Sequence, residues 1–379
     1  MMKNIIVIGG GILGAATAYK LAKTGAAVTV IDAAKTGQAT EAGAGIVCPW
    51  VSKRRNPHWY ALAKGGARMY PELIRELEAD GIEETGYAQV GSLSLQEGQH
   101  KLEELYELIS VRREEAPEIG EVKLLDEAET QKRFPLIPGG FGAVYVSGGA
   151  SVDGRLLRDA LLQGASHYGM KRVLGEAVLR TSGGKVLGVQ TADGELEADT
   201  VIAANGAWMR DLLDPLLAES GRYFDVRPQR AQIVHLSLDD ERAGEWPVAN
   251  SPFNQYMLAV NGRLIVGATQ ENHTGFDCRQ TAGGIHEILH KALELAPTLS
   301  DATILETRVG FRPMTPESVP VIGPFPGMSN LFAANGLGSS GLTMAPFMAD
   351  QLAKLALGEP LEIKLEGYAL EKIIKKIKK

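Results

Sequence analysis

Gly9, Gly11 and Gly14 follow an apolar run, Ile5-Ile6-Val7-Ile8, with the spacing G-x-G-x-x-G, and an acid, Asp32, ends the next apolar run. Each position has a task in holding a pyrophosphate. Gly9 permits the sharp turn out of a strand, Gly11 lets backbone N–H groups approach phosphate, and Gly14 lets a helix lie close to the sheet. Unpaired N–H donors and the positive dipole end of that helix would face the phosphates. Asp32, roughly 20 residues on, is placed to accept hydrogen bonds from a ribose. The pattern predicts dinucleotide binding and leaves FAD and NAD equally open. A second glycine cluster, Asn335-Gly-Leu-Gly-Ser-Ser-Gly341, opens the last long helical pattern and offers another set of unpaired N–H donors.

One further pattern has catalytic spacing. His286-Glu287-Ile288-Leu289-His290 fits H-E-x-x-H, which on a helix sets two imidazoles on one face with a carboxylate between them. No zinc-protease extension follows and no third ligand is anchored, so the segment is read as an exposed helix and no metal is expected. Cys48 and Cys278 form no C-x-x-C pair and no disulfide framework.

The elements that must position these groups can be read in order. Asn4–Ile8 and Ala27–Ile31 read as strands buried on both faces, flanking a helix from Ile12 to Lys23 that Gly25 ends. Residues 34–52 read as a structured loop, 57–80 and 99–116 as amphipathic helices, and 153–168 as a further helix. Short strands are expected at Gln89–Leu95 and Gly142–Val146, and hairpin-like pieces at Lys185–Thr191 and Glu195–Ala203. From 223 to 270 the pattern changes to antiparallel strands, with Asn261-Gly262 as a turn. A helix near 283–295 and a strand at 303–311 then lead back, and Asn330–Ala334 enters the second glycine cluster. This organisation predicts an α/β fold. A Rossmann-type dinucleotide domain is expected over 1–85, 147–222 and 306–365. A second, antiparallel-sheet α+β domain is expected over 86–146 and 223–305, and a basic tail over 366–379.

With 379 residues, of which 45% are apolar and 22% charged, the chain can bury a sizeable core. A net charge of −7 gives nucleic acid no electrostatic footprint. The apolar run near Met1 is too short for a signal sequence, and no stretch approaches the roughly 18 residues of a membrane span. A cytoplasmic location is expected. In the tail, Leu370, Ile373, Ile374 and Ile377 share one helical face among lysines. This predicts a partly docked terminal helix, with contact to a membrane surface as the alternative.

Several segments together resemble the D-amino-acid oxidase superfamily, which includes glycine oxidase, sarcosine oxidase and D-amino-acid dehydrogenase. They are Ala39–Val47 (ATEAGAGIV), Ser147–Leu161 (SGGASVDGRLLRDAL), the stretch ending AANGAW, TRVGFRPMTPESVPVIG, and LFAANGLGSSGLTMAP. The resemblance covers essentially the whole chain and implies bound FAD, where an NAD enzyme would share only the first glycine motif. It puts Gly9, Gly11, Ile12, Leu13 and Gly14 at the pyrophosphate and Asp32 and Ala33 at the adenosine ribose. Thr40, Ala44, Gly45 and Ile46 fall in the flavin loop, Val178 at adenine, and Asn205 and Gly206 in the AANGAW turn. Leu337, Gly338, Ser339, Ser340, Gly341, Leu342 and Thr343 fall at the isoalloxazine, where a helix N-terminus would stabilise negative charge on the reduced ring.

The same resemblance implies that Arg312, in GFRP, grips a substrate carboxylate and that Tyr256 helps to hold it. A guanidinium suits the task because its planar fork makes two charge-assisted bonds to one carboxylate. The chain departs from glycine oxidase at Ser339, where that enzyme has an additional arginine, and at Asn254, which replaces a histidine. Leu337 stands where many members have histidine. Cys278 does not match the cysteine that carries covalent flavin in sarcosine oxidases, so the FAD is expected to be noncovalent. The implied activity is oxidative deamination of a small amino acid or secondary amine by hydride transfer to flavin N5. Oxygen or a quinone-type carrier would accept the electrons. Two other readings stay open: a flavin 2-hydroxy-acid dehydrogenase, and a flavoprotein subunit of a larger dehydrogenase.

Overall fold

Asn4–Ile8 runs through a six-stranded sheet whose order is Val321–Pro324, Leu331–Asn335, Thr200–Ala203, Asn4–Ile8, Ala27–Asp32 and Lys171–Leu174. All neighbours are parallel except the first pair. Ile5, Ile6 and Val7 are buried, as a strand covered on both faces requires. This computed structural model describes residues 3–377. On one face of the sheet lies the Ile12–Lys23 helix, packed between the helices Gly154–His167 and Gly341–Leu357. Its alanines, Ala15, Ala16, Ala18 and Ala22, are buried and short enough for neighbouring helices to approach on two sides. The long helix Pro57–Ala79 packs outside Gly341–Leu357. The opposite face is covered by the antiparallel strands Val178–Ser182, Lys185–Thr191 and Gly194–Glu197 and by a cluster around Met209, Leu213 and Phe224.

The second sheet has eight strands, ordered Ile304–Met314, Arg227–Ser237, Arg263–Gly267, Tyr256–Val260, Val248–Asn250, Ser92–Gln96, Gly142–Val146 and Val122–Leu125. The period-two alternation of a strand divides its side chains between two faces. Val234, Leu236, Met257 and Val266 pack with the helix Ala282–Leu295 in one core, while Ile233, Leu258 and Ile265 lie in another cluster with Ala44, Ile46 and Tyr256. The second face therefore meets the glycine loop, and the functional site forms there.

Three elements differ from their sequence-based expectation. The tail is not a helix: Leu370–Ile373 makes a 3-10 turn, and Ile374–Lys376 pairs as an antiparallel strand with Arg222–Phe224. Leu370 and Ile373 are buried in the core beneath the six-stranded sheet, leaving no continuous apolar helical face for a membrane surface. An open strand edge at Arg222–Phe224 and the β preference of isoleucine explain the outcome. The last two lysines lie outside the described residues. Glu195–Ala203 is divided, with Gly194–Glu197 in the three-stranded sheet and Thr200–Ala203 in the six-stranded one. Ile304–Met314, expected to lead back into the first domain, instead pairs along its length with Arg227–Ser237 at the edge of the eight-stranded sheet. No helix among the described residues is long and apolar enough to cross a membrane.

Candidate active site

A cavity of about 460 Å³ runs along the ends of the parallel strands. Gly9, Gly11, Ile12 and Leu13 line it, with Asp32 and Ala33 and with Gly175–Val178. Asn205, Gly206, Leu337, Gly338 and Gly341 complete the wall. Gly9 has φ +106° and any Cβ there would lie 2.5 Å from the Ala204 carbonyl oxygen, so the turn admits only glycine. A Cβ on Gly14 would collide with the Gly9 carbonyl oxygen, which lets the first turn of the helix seat directly under the strand end. Asp32 is buried, and its Oδ1 accepts from the Ala34 amide and from Gln38 Nε2, both at 3.1 Å. Thr40 Oγ1 accepts from the Ile12 amide at 3.0 Å and ties the following loop to the helix start.

A smaller cavity of about 140 Å³ adjoins the first; Ile12, Ala39, Thr40, Gly338 and Gly341 line both. Arg312 and Tyr256 enter it from the eight-stranded sheet, opposite Gly45, Ile46, Leu342 and Thr343. Strand register sets the arginine. Gln229 stands across from it, and Arg312 Nη1 donates to Gln229 Oε1 at 3.0 Å and to the Thr269 carbonyl at 3.1 Å. Nε and Nη2 make no hydrogen bond to the protein among the described residues, which leaves one side of the guanidinium fork facing the cavity. Thr269 is itself held, its hydroxyl donating to Glu271 Oε1 at 2.7 Å and accepting from the Gln232 amide at 2.9 Å. Burial lowers the Arg312 pKa and raises that of Tyr256 to about 12, although the arginine's charge works against the latter shift. The Tyr256 hydroxyl is therefore protonated throughout the neutral range and can donate a hydrogen bond.

Of the residues expected from the sequence to hold FAD or substrate, two lie off both cavities. Gly14 packs behind the turn, and Ser340 Oγ accepts instead from Trp59 Nε1 at 3.3 Å. Thr40, Ala44, Ser339 and the remainder line one cavity or the other. Val178 is exposed at the rim. Asn254 has φ +55° in the turn before Tyr256–Val260 and lines neither cavity. Sequence reasoning missed Gln38, which bonds back to Asp32 from the following loop, and Gln229 and Thr269, whose roles depend on strand pairing. It also missed Trp208 and Phe311, which line the large cavity and meet edge-on at 6.1 Å. His286, Glu287 and His290 are exposed, Glu287 is paired with Lys291 at 2.7 Å, and no third potential ligand joins them among the described residues.

The family profile "FAD dependent oxidoreductase" matches residues 4–355. The chain belongs to this family. "Uncharacterized oxidoreductase YurR" of Bacillus subtilis is 52% identical over 97% of this chain and 98% of its own. Glycine oxidase of Pseudomonas putida is 31% identical over 98% of this chain and 99% of its own. The crystal structure of iminodiacetate oxidase from Chelativorans sp. BNC1 superposes with a TM-score of 0.92 at 42% identity, covering 96% of this chain and 98% of that one.

The large cavity of this FAD-dependent oxidoreductase fits the cofactor in its chemistry. It is mostly apolar. A glycine turn, a helix N-terminus and a buried carboxylate lie on its wall. Asn205 Oδ1 is buried on its wall without a hydrogen-bond partner, an acceptor left available to a ligand.

Proposed function

We propose that this enzyme oxidises a small amine carrying a carboxylate, an amino acid or an N-substituted glycine, at the carbon next to nitrogen. The observation that supports this most is that Arg312 and Tyr256 meet in a small cavity adjoining the dinucleotide cavity. In this reading Gly9, Gly11, Ile12, Leu13 and Asp32 hold the pyrophosphate and ribose, Val178 borders the adenine, and Leu337, Gly338, Ser339, Gly341, Leu342 and Thr343 border the flavin ring. When bound, FAD supplies the two-electron acceptor for the hydride. Arg312 takes the substrate carboxylate with its free fork, and the protonated Tyr256 hydroxyl donates a further hydrogen bond to it. Fixing one end of so small a substrate limits which C–H bond faces the larger cavity, and orientation alone can supply much of the rate. Ile46, Ile233 and Leu342 exclude water, and with the Arg312 cation nearby they favour the neutral amine over the ammonium. The neutral amine has the lone pair that forms C=N as hydride leaves; water then hydrolyses the imine to a carbonyl compound and ammonia or a primary amine.

The cavity favours this reading over hydroxy-acid oxidation. Its lining among the described residues has no histidine, aspartate, glutamate or lysine to take a hydroxyl proton. An amine needs no such base once neutral. The names of the relatives, glycine oxidase and iminodiacetate oxidase, fall in the same substrate class. Anaerobic mixing of the FAD-loaded protein with amino acids of both hands, N-substituted glycines and 2-hydroxy acids tests the reading. Bleaching of the flavin by an amine is expected, and bleaching by hydroxy acids alone would overturn it.

A further inference from the structure

This inference rests on the carboxylate-bearing amine reading and concerns a second charge at the same site. Ser339 lines the small cavity with Arg312 and Tyr256. Nη2 of Arg54, from a distant segment, lies 3.5 Å from Ser339 Oγ, the long limit of a hydrogen bond, and the Arg54 guanidinium sits 4.9 Å from the Trp59 ring centroid. A guanidinium from elsewhere in the chain thus reaches the edge of the small cavity.

The Arg54 segment is held in position. Arg112 Nη1, from the helix Gln99–Glu115, donates to the carbonyl oxygens of Trp50 and Ser52, the latter at 2.7 Å, and the Arg54 amide donates to Ser52 Oγ at 3.2 Å. Asn56 caps the next helix by accepting from the Trp59 amide at 3.0 Å, which fixes the aromatic ring on which Arg54 rests. No carboxylate lies within ion-pair distance of Arg54 or of Arg312 among the described residues. Burial lowers the Arg312 pKa, Tyr256 works against that shift, and the charge of Arg54 adds a smaller lowering. Arg312 inside the small cavity and Arg54 behind its Ser339 wall are two guanidinium groups with no carboxylate paired to either among the described residues, an unfavourable arrangement that a ligand with two negative groups relieves.

We propose that Arg54 binds a second substrate carboxylate, so that the preferred substrate is a dicarboxylated amine, one arm on Arg312 and the other on Arg54. Such a substrate carries both charges within a few bonds of the amine, as an imino-diacid does. Arg54 is then a specificity-determining residue: it is exposed, lines a neighbouring cavity and reaches the small one only at Ser339, so it can select among amines without contributing to the hydride step.

The test uses FAD-loaded enzyme and two inert thioethers, thiodiacetate with two carboxylates and methylthioacetate with one, titrated by the change in flavin absorbance. Wild type is expected to bind the diacid more tightly. Arg54→Met should weaken the diacid by roughly ten- to a hundred-fold, the loss for one charged hydrogen-bonded contact, and the monoacid by less than about threefold. Arg54→Lys should restore part of the loss, with FAD content and Tm unchanged in both. In turnover the loss should fall on KM for iminodiacetate and spare N-methylglycine. Equal binding of the two thioethers by wild type, or equal losses for both in Arg54→Met, overturns the proposal. The two readings fail separately. A diacid preference lost with Arg54 but no bleaching by any amine leaves the subsite and removes the amine reaction. Bleaching by monocarboxylate amines without any diacid preference does the reverse.

Discussion

Replacing Arg312 with alanine tests the chemistry at its most exposed point. In the folded protein the guanidinium already sits in a poorly solvated place, pinned through Nη1 by Gln229 and the Thr269 carbonyl, with Nε and Nη2 left for a ligand. The orientation is built before substrate arrives, so little of the binding energy goes to ordering the side chain. Removing it leaves a carboxylate desolvated and unpaired in a cavity walled by Ile46, Ile233 and Leu342. Truncating one partner of such a charged pair costs on the order of 2–5 kcal/mol. At about 1.4 kcal/mol per tenfold, kcat/KM should fall between roughly thirty-fold and a few thousand-fold. Arg312→Lys should recover part of this, because a point charge replaces the fork without its second bond. Gln229→Ala removes one of the two pins and should cost about 1 kcal/mol, roughly fivefold. The assay is the rate of anaerobic flavin reduction against substrate concentration, with FAD content measured in each variant. An amine without a carboxylate never uses the arginine, so its rate should change little. Equal losses for amines with and without the carboxylate would refute the role given to Arg312.

Three further outcomes are expected. A Cβ on Gly11 meets only Thr40 Oγ1, at 3.3 Å, so Gly11→Val should fold yet fill the cavity where the pyrophosphate lies; the purified protein should be colourless with a near-normal circular dichroism spectrum. Leu370 is 1% exposed, and Leu370→Ala should destabilise the protein by about 2–5 kcal/mol in urea denaturation, whereas removal of a freely solvated tail residue would change nothing. His235 is buried with neither ring nitrogen hydrogen-bonded, and burial, then the charge of Arg308, lower its pKa from 6.5 to about 4. Its folded pKa lies below the unfolded one. The stability it allows is therefore complete above about pH 6.5 and is lost as pH falls toward 4, by up to about 3 kcal/mol. His235→Leu should flatten that part of the pH dependence, read from urea midpoints at pH 7 and pH 4.5.

The dinucleotide turn was legible because its determinants are local. A strand, three glycines, a helix and an acid lie within one short stretch, and the contact that demands Gly14 is with the Gly9 carbonyl five residues away. Steric rules of that range operate before any tertiary structure exists. The tail shows the opposite case. Leu370, Ile373, Ile374 and Ile377 satisfy a helical period, but a turn followed by a strand buries Leu370 and Ile373 equally well. An unpaired edge at Arg222–Phe224, about 150 residues earlier in the chain, decided between them.

By itself, then, the sequence determined the glycine cradle, the buried parallel strands around it and, through motifs spread along the chain, kinship with FAD-dependent oxidoreductases. Only the tertiary structure decided what faces the reacting centre. Tyr256 and Arg312 share a cavity because the strands that carry them belong to one sheet and turn those side chains to its inner face, and a slip of one residue would send either to the other side. Gln229 became the partner of Arg312 by register, and Arg54 reached Ser339 across 285 positions of chain. Spacing along the chain encodes contacts within a turn or a helix. Contacts made by strand pairing and by packed helices depend on which distant segments meet, and that is settled by burial of the whole core.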